Sequence, residues 1–186
     1  MFKSNECFIS VDIETAGPNP SDYALLSIGA CTLREPRETF YIELIPTSSE
    51  FTQDALEVSH LDLDQLKKTG VPPEEAMLLF SQWVQHVLPE NGSPVFVAFN
   101  APFDWMFIND YFHHYLGYNP FGHKAIDIKA LYMGIYKTRW KDTSFEAIRN
   151  KMEVTAPLKH HALDDAVQQA DLLCAILDEL KGDNHG

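Results

Sequence analysis

At 186 residues the chain can enclose one sizeable hydrophobic core, and its 45% apolar and 22% charged composition excludes the disordered and fibrous classes. A formal charge of −13 argues against a long electrostatic footprint on duplex nucleic acid, which clustered Lys and Arg would supply. It does not exclude chemistry on a few terminal nucleotides, where bound cations can offset acidic side chains.

The longest uninterrupted apolar stretches, such as Ala76 to Phe80, fall far short of the roughly 18 residues that span a bilayer. The N-terminus carries one lysine and leads straight into a strand-like run, unlike a signal peptide, so a cytoplasmic location is expected. The three cysteines, Cys7, Cys31 and Cys174, lie far apart and form no CxxC pair. Buried, reduced thiols are expected rather than disulfides or a zinc site.

Cys7 to Glu14 alternates apolar and β-branched residues before a turn at Gly17, Pro18 and Pro20, and reads as the first strand. Ala24 to Leu33 and Thr39 to Ile45 are two further strands, joined by a polar link that suits an antiparallel meander. Thr52 to Lys68 reads as short helices, and Pro72-Pro73-Glu74-Glu75 opens a stronger one running to about Leu88. Pro94 to Phe99 is a buried strand, and Asn100-Ala101-Pro102 starts a helix toward Leu116. A brief strand at Ala125-Ile126 precedes helices at about Asp127 to Tyr136, Ser144 to Lys151 and His161 to Leu180. The pattern predicts an α/β fold with a mixed central sheet, one domain over residues 1–181 and a frayed tail from Gly182 to Gly186.

Asp12 and Glu14 are two apart on the first strand, so both carboxylates point to one side of the sheet. Two such anions about 4 Å apart repel by about 4 kcal/mol at an effective dielectric near 20, which a divalent cation relieves directly. Solvation at a strand end would relieve it too. Asp104 falls in a first helical turn, where the helix dipole favours an acid, and directly after a buried strand, at the carboxyl end where α/β sheets collect ligands.

On the last helix, Ala162, Leu163, Ala166, Ala170, Leu173, Cys174, Leu177 and Leu180 make an apolar face. Asp164 then joins Gln168, Asp171 and Asp178 toward solvent, whereas Asp165 lies beside Gln169, Leu172 and Ile176 at the edge of the buried stripe. Asp165 is the better ligand candidate. His160 lies roughly 140° from Asp165 on an ideal helix, so it must belong to the preceding loop to reach the same pocket. A surface histidine is the competing reading.

Taken together, these residues resemble the DEDDh exonuclease superfamily. Asp12-Ile13-Glu14-Thr15 resembles its first motif, Asn100-x-x-Phe103-Asp104 its second, and His160-His161-Ala162-Leu163-Asp164-Asp165-Ala166 its third, His-x-Ala-x-x-Asp. The resemblance implies an RNase H-like fold with a mixed five-stranded central sheet flanked by helices. It implies a 3′–5′ exonuclease releasing 5′-nucleotides from single-stranded DNA, RNA or short oligonucleotides. Asp12, Glu14 and Asp165 would hold one divalent cation, Mg²⁺ or Mn²⁺; Asp12 and Asp104 would serve a second, and His160 would be the general base. Thr15, Ala16 and Asn100 flank the motifs as candidate contacts to the terminal nucleotide, and Phe103 fits either the core or a stacking platform. Two other functions stay open: a proofreading subunit acting with a polymerase, and a nonenzymatic nucleic-acid or protein interaction module on an exonuclease fold. The resemblance leaves a homodimer open as well. The basic segment Lys137, Arg139 and Lys141 around Trp140 fits either phosphate contact or a solvated surface.

Overall fold

A computed structural model describes residues 5–154 and 160–183. The strands are β1 (Glu6–Thr15), β2 (Leu25–Thr32), β3 (Thr39–Glu43), β4 (Ser93–Ala98) and β5 (Ala125–Asp127). The helices are α1 (Gln53–Ser59), α2 (Leu63–Thr69), α3 (Pro73–His86), α4 (Ala101–Leu116), α5 (Ile128–Tyr136), α6 (Phe145–Lys151) and α7 (Ala162–Asp183). A 3₁₀ turn at Trp140–Asp142 lies between α5 and α6.

The sheet order is β3-β2-β1-β4-β5, with β1–β2 and β2–β3 antiparallel and β1–β4 and β4–β5 parallel. This is the expected α/β architecture with a mixed five-stranded sheet. The period of two along β1 divides its residues between two layers. Cys7, Ile9, Val11 and Ile13 join Phe80, Val84, Phe107, Ile108 and Phe112 in the core beneath α3 and α4. Asp12 faces the other way, toward α7, and so does its register partner Gly29 on β2. Behind α7, Leu172, Leu173 and Ile176 cluster with Val97, Ile128, Phe145 and Ile148.

Local chemistry sets the element ends. Pro73 occupies the first turn of α3 ahead of Glu74 and Glu75, where a missing N–H costs nothing and acids favour the dipole. The Asp127 carboxylate caps α5 by accepting from the Ala130 N–H at 3.1 Å, and Ser144 caps α6 through the Ala147 N–H at 3.2 Å. Gly117, at φ 74°, closes α4 in the left-handed region that glycine enters without penalty.

Several boundaries differ from the sequence reading. β3 ends at Glu43; the Leu44 N–H still donates to Leu26 on β2, but Leu44 forms a parallel bridge with Val71, and the Ile45 N–H donates to the Val71 carbonyl. β4 stops at Ala98 because the Phe99 N–H donates to the Gln169 side chain at 2.9 Å rather than to a ladder. α7 continues through Asp183, so Gly182 and Asp183 are helical; the rest of the expected frayed tail, 184–186, lies outside the described residues, as do 155–159. Gln168, expected in solvent, is 4% exposed, because the buried arc of α7 centres near Gln169 rather than on the Ala162–Leu177 stripe. For the same reason Cys174 is half-buried, while Cys7 and Cys31 are buried as expected; all three thiols are free. Among the described residues no helix is long and apolar enough to cross a membrane.

Candidate active site

β1 runs further than its parallel neighbour. Its pairing with β4 ends at Ser10 opposite Val97, so the edge of β1 from Val11 onward has no strand beside it on that side. α4 reaches this open edge from one face of the sheet and α7 from the other. The backbone N–H of Ile13 hydrogen-bonds the Asp104 carboxylate there, in the place a ladder partner would take. Asp104 is 4% exposed in the first turn of α4, so the helix dipole and this N–H both favour its charged form.

α7 supplies Asp165, also 4% exposed. Asp12, Glu14 and Asp165 each offer a carboxylate oxygen within 4.8 Å of the other two. Asp104 lies outside that tight triad, but its charge acts on Asp12. The structure thus brings all four predicted acids into one electrostatic unit. Asp164, by contrast, turns outward, with its side chain 45% exposed and 3.9 Å from His161 Nδ1.

The electrostatics of the cluster are unfavourable for four anions alone. Burial, followed by repulsion from Asp104, Glu14 and Asp165, raises the Asp12 carboxyl well above its ordinary range, while a hydrogen bond from Gln169 opposes this. Burial, then Asp165, pushes Glu14 up to about 7. Burial also raises Asp104, against hydrogen bonds from its own N–H and that of Ile13, with Glu14 and Asp127 adding repulsion. The donor set is all carboxylate oxygen, which suits hard divalent cations.

His160 precedes α7 in a bend with φ 54°, outside the helix as the spacing requires. Its backbone N–H donates to Asp165 Oδ2 at 2.9 Å, so the residue is tied directly to the carboxylate cluster, and its side chain is exposed. The rest of the preceding loop, 155–159, lies outside the described residues. His161 stacks on Tyr41 with ring centroids 4.6 Å apart, which anchors the start of α7 over β3.

Beside Glu14 opens a cleft of about 440 Å³ lined by Ile13, Thr15, Gly17, Thr52, Val58 and Phe103, among others. Phe103 packs on Phe107 with ring centroids 5.5 Å apart and also lines the cleft. The Thr15 hydroxyl is buried and donates to the Gly17 carbonyl at 2.9 Å. Ala16 is fully buried; its N–H donates to the Ala24 carbonyl and its carbonyl accepts the Thr52 N–H. Asn100 is exposed at φ 64°, ψ 45°, a conformation asparagine tolerates, and its side chain makes no cap hydrogen bond to α4.

Two residues that shape the site were not singled out as functional. Gln169, one turn after Asp165, donates from Nε2 to Asp12 Oδ1 and accepts the Phe99 N–H on Oε1, joining β1, β4 and α7 at one point. Its i+4 relation to Asp165 was the available signal. Gly29 lies opposite Asp12 in the β1–β2 register, and a Cβ there would stand 2.1 Å from the Ala162 carbonyl carbon. The missing side chain lets the first turn of α7 press onto the sheet, and only the strand register exposes that need.

The mixed five-stranded sheet, with its carboxylate cluster beside β1, matches the RNase H-like architecture of DEDDh nuclease domains. A solved structure of the nuclease domain of 3′hExo, a DEDDh family member bound to rAMP, superposes with a TM-score of 0.81 at 17% identity, covering 96% of this chain and 95% of that one. The Escherichia coli protein named 3′-5′ DNA exonuclease Cap18 is 44% identical over 180 residues, 97% of this chain and 96% of its own length. A DNA polymerase III PolC-type protein of Thermotoga petrophila is 28% identical over 183 residues, which is 95% of this chain but 12% of that protein. Residues 7–177 match the family described as the 3′-5′ exoribonuclease Rv2179c-like domain, and the chain belongs to that family. It is a 3′–5′ exonuclease.

Proposed function

We propose that the protein removes 5′-nucleotides one at a time from the 3′ end of a single strand with the help of two divalent cations, Mg²⁺ or Mn²⁺. The observation that carries this reading is the convergence of Asp12, Glu14 and Asp165 within 4.8 Å, with Asp104 acting on the same charge. Burying these acids together is costly unless positive charge joins them. Asp12, Glu14 and Asp165 would hold one ion, and Asp12 with Asp104 would serve the other. Such ions, when bound, polarise the scissile phosphate, sharpen the attacking water and stabilise the departing 3′-oxygen.

The remaining work falls to this chain's side chains. His160, exposed at the mouth of the cluster, takes a proton from the attacking water as its oxygen bonds to phosphorus and the bond to the 3′-oxygen breaks. Gln169 holds Asp12 in place through the hydrogen bond from its Nε2. The cleft between Glu14 and Phe103 receives the terminal nucleotide, with Phe103 and Val58 offering apolar surface to the base and Asn100 at the entrance to α4. DNA is the substrate put first, because the relative that is 44% identical over nearly the full length of both chains bears that name. The family description names RNA, so both sugars belong in the test.

The experiment incubates 5′-labelled single-stranded DNA and RNA with Mg²⁺ or Mn²⁺. The expected result is a ladder shortening from the 3′ end, lost in EDTA and in Asp12→Ala. His160→Ala should lower kcat by about 10²–10⁴-fold, the usual contribution of a general base. Cleavage without metal or shortening from the 5′ end would overturn the reading, and parental kcat in His160→Ala would remove that residue from the mechanism.

A further inference from the structure

The acidic chain concentrates its few cations in one stretch. Seven of its 14 Lys and Arg residues lie between Lys124 and Lys151, against three acidic residues there, Asp127, Asp142 and Glu146. This stretch covers β5, α5, the 3₁₀ turn and α6. It also carries Trp140, 53% exposed and the most exposed large hydrophobic side chain among the described residues.

Trp140 is presented rather than merely left outside. Its carbonyl accepts the Thr143 hydroxyl at 2.7 Å, and Arg139 bridges to Asp142 at 2.8 Å across the turn, so the backbone beneath the ring is braced. The Lys129 ammonium lies 4.4 Å from the Trp140 ring centroid and 5.8 Å from that of Phe99. An aromatic face, a second ring and a fixed cation therefore share one patch. Stacking surface combined with positive charge matches a base and its phosphate, and it is the combination by which single strands are held without regard to sequence.

The patch is joined to the carboxylate cluster. The Phe99 N–H donates to Gln169, and Gln169 donates to Asp12. Asp127, two residues before Lys129, is felt at Asp104. A strand with its 3′ end on the carboxylates thus has an aromatic, cationic surface close at hand.

We propose that Trp140, Lys129 and Phe99 form a platform that grips the single strand on the 5′ side of the nucleotide being removed, and so sets the preference for longer substrates over dinucleotides. The proposal rests on the exonuclease reading for the direction of the strand. The platform is a binding element, and none of its residues enters the chemistry.

The test uses the full chain carrying Asp12→Ala, so that no probe is consumed, and follows fluorescence anisotropy of labelled oligothymidylate about twelve nucleotides long and of the dinucleotide. Adding Trp140→Ala should weaken binding of the long probe roughly 10- to 100-fold, as expected for one lost stacking partner, and leave the dinucleotide within about twofold. Lys129→Gln should lower the slope of log affinity against log salt by about 0.7 on the long probe. In the active chain, Trp140→Ala should raise KM for the long substrate at constant kcat. Unchanged affinity for the long probe would overturn the platform. So would an equal loss on both probes, or a fall in thermal stability without length dependence, since each marks Trp140 as a brace for α5. If nucleotides are released but the variants match the parent, only the platform falls. If Trp140 governs binding of the long probe but the active chain releases no nucleotide, the exonuclease reading falls and the platform stands.

Discussion

Gly29→Ala offers a demanding check on how the site is assembled, because it adds one methyl group opposite Asp12 without altering any charged or polar group. The new Cβ would lie 2.1 Å from the Ala162 carbonyl carbon, 2.2 Å from the Leu163 nitrogen and 2.3 Å from the Ala162 oxygen. All three are backbone atoms of the first turn of α7, so no side chain can swing aside. Ordinary contact begins near 3.4 Å, so the helix start must retreat by more than 1 Å. Asp165 and His160 ride on that segment, while Asp12 and Glu14 stay on β1. Overpacking of this kind costs about 1–3 kcal/mol, or roughly 2–10 °C in Tm for a chain of this size. A displacement of about 1 Å in a catalytic group can cost about 100-fold in rate. The assay pairs thermal unfolding with kcat on a labelled single strand. Gly134→Ala in α5 serves as control, since nothing lies within 4 Å of its added Cβ, and it should be neutral or stabilise by up to about 1 kcal/mol. Parental Tm and kcat in Gly29→Ala would refute the claim that this close approach sets the site.

Gln169→Ala should lower stability by about 1–3 kcal/mol, because the Phe99 N–H loses its acceptor, and should weaken Mn²⁺ binding by freeing Asp12; calorimetric titration with Mn²⁺ reads the second effect, and unchanged affinity would count against a positioning role. The metal-free protein should lose stability as pH rises. A carboxyl raised from 4.5 to about 7 binds more protons folded than unfolded between those values, so its favourable contribution is complete below pH 4.5 and is lost as pH climbs through about 7. For Glu14 alone the loss is of order 3 kcal/mol. Saturating Mg²⁺ should therefore raise Tm more at pH 8 than at pH 5, and an equal shift at both would argue against the carboxylates as its ligands.

Much of the architecture was readable because the periods were clean. The alternation along Cys7 to Glu14 set both the strand and the shared face of Asp12 and Glu14, and the duplicated His160-His161 and Asp164-Asp165 could be sorted by helical angle. What stayed hidden depends on partners distant in the chain. The end of β4 at Ala98 is decided by a glutamine 70 residues later, and no local pattern announces it. The face of α7 was misjudged toward Leu163 and Leu177 because Gln168 and Gln169 counted as polar, whereas both are buried and Gln169 spends its two polar atoms on the sheet. Gly29 gives no signal until its register with Asp12 is known.

The contact between Gln169 and Asp12 closes a span of 157 residues. During synthesis the first three acids leave the ribosome long before Asp165, and they have neither their fourth member nor the histidine beside it until the last helix has emerged and docked. Until α7 has formed and docked, the acids carried by β1 and α4 therefore lack both Asp165 and the hydrogen bond from Gln169.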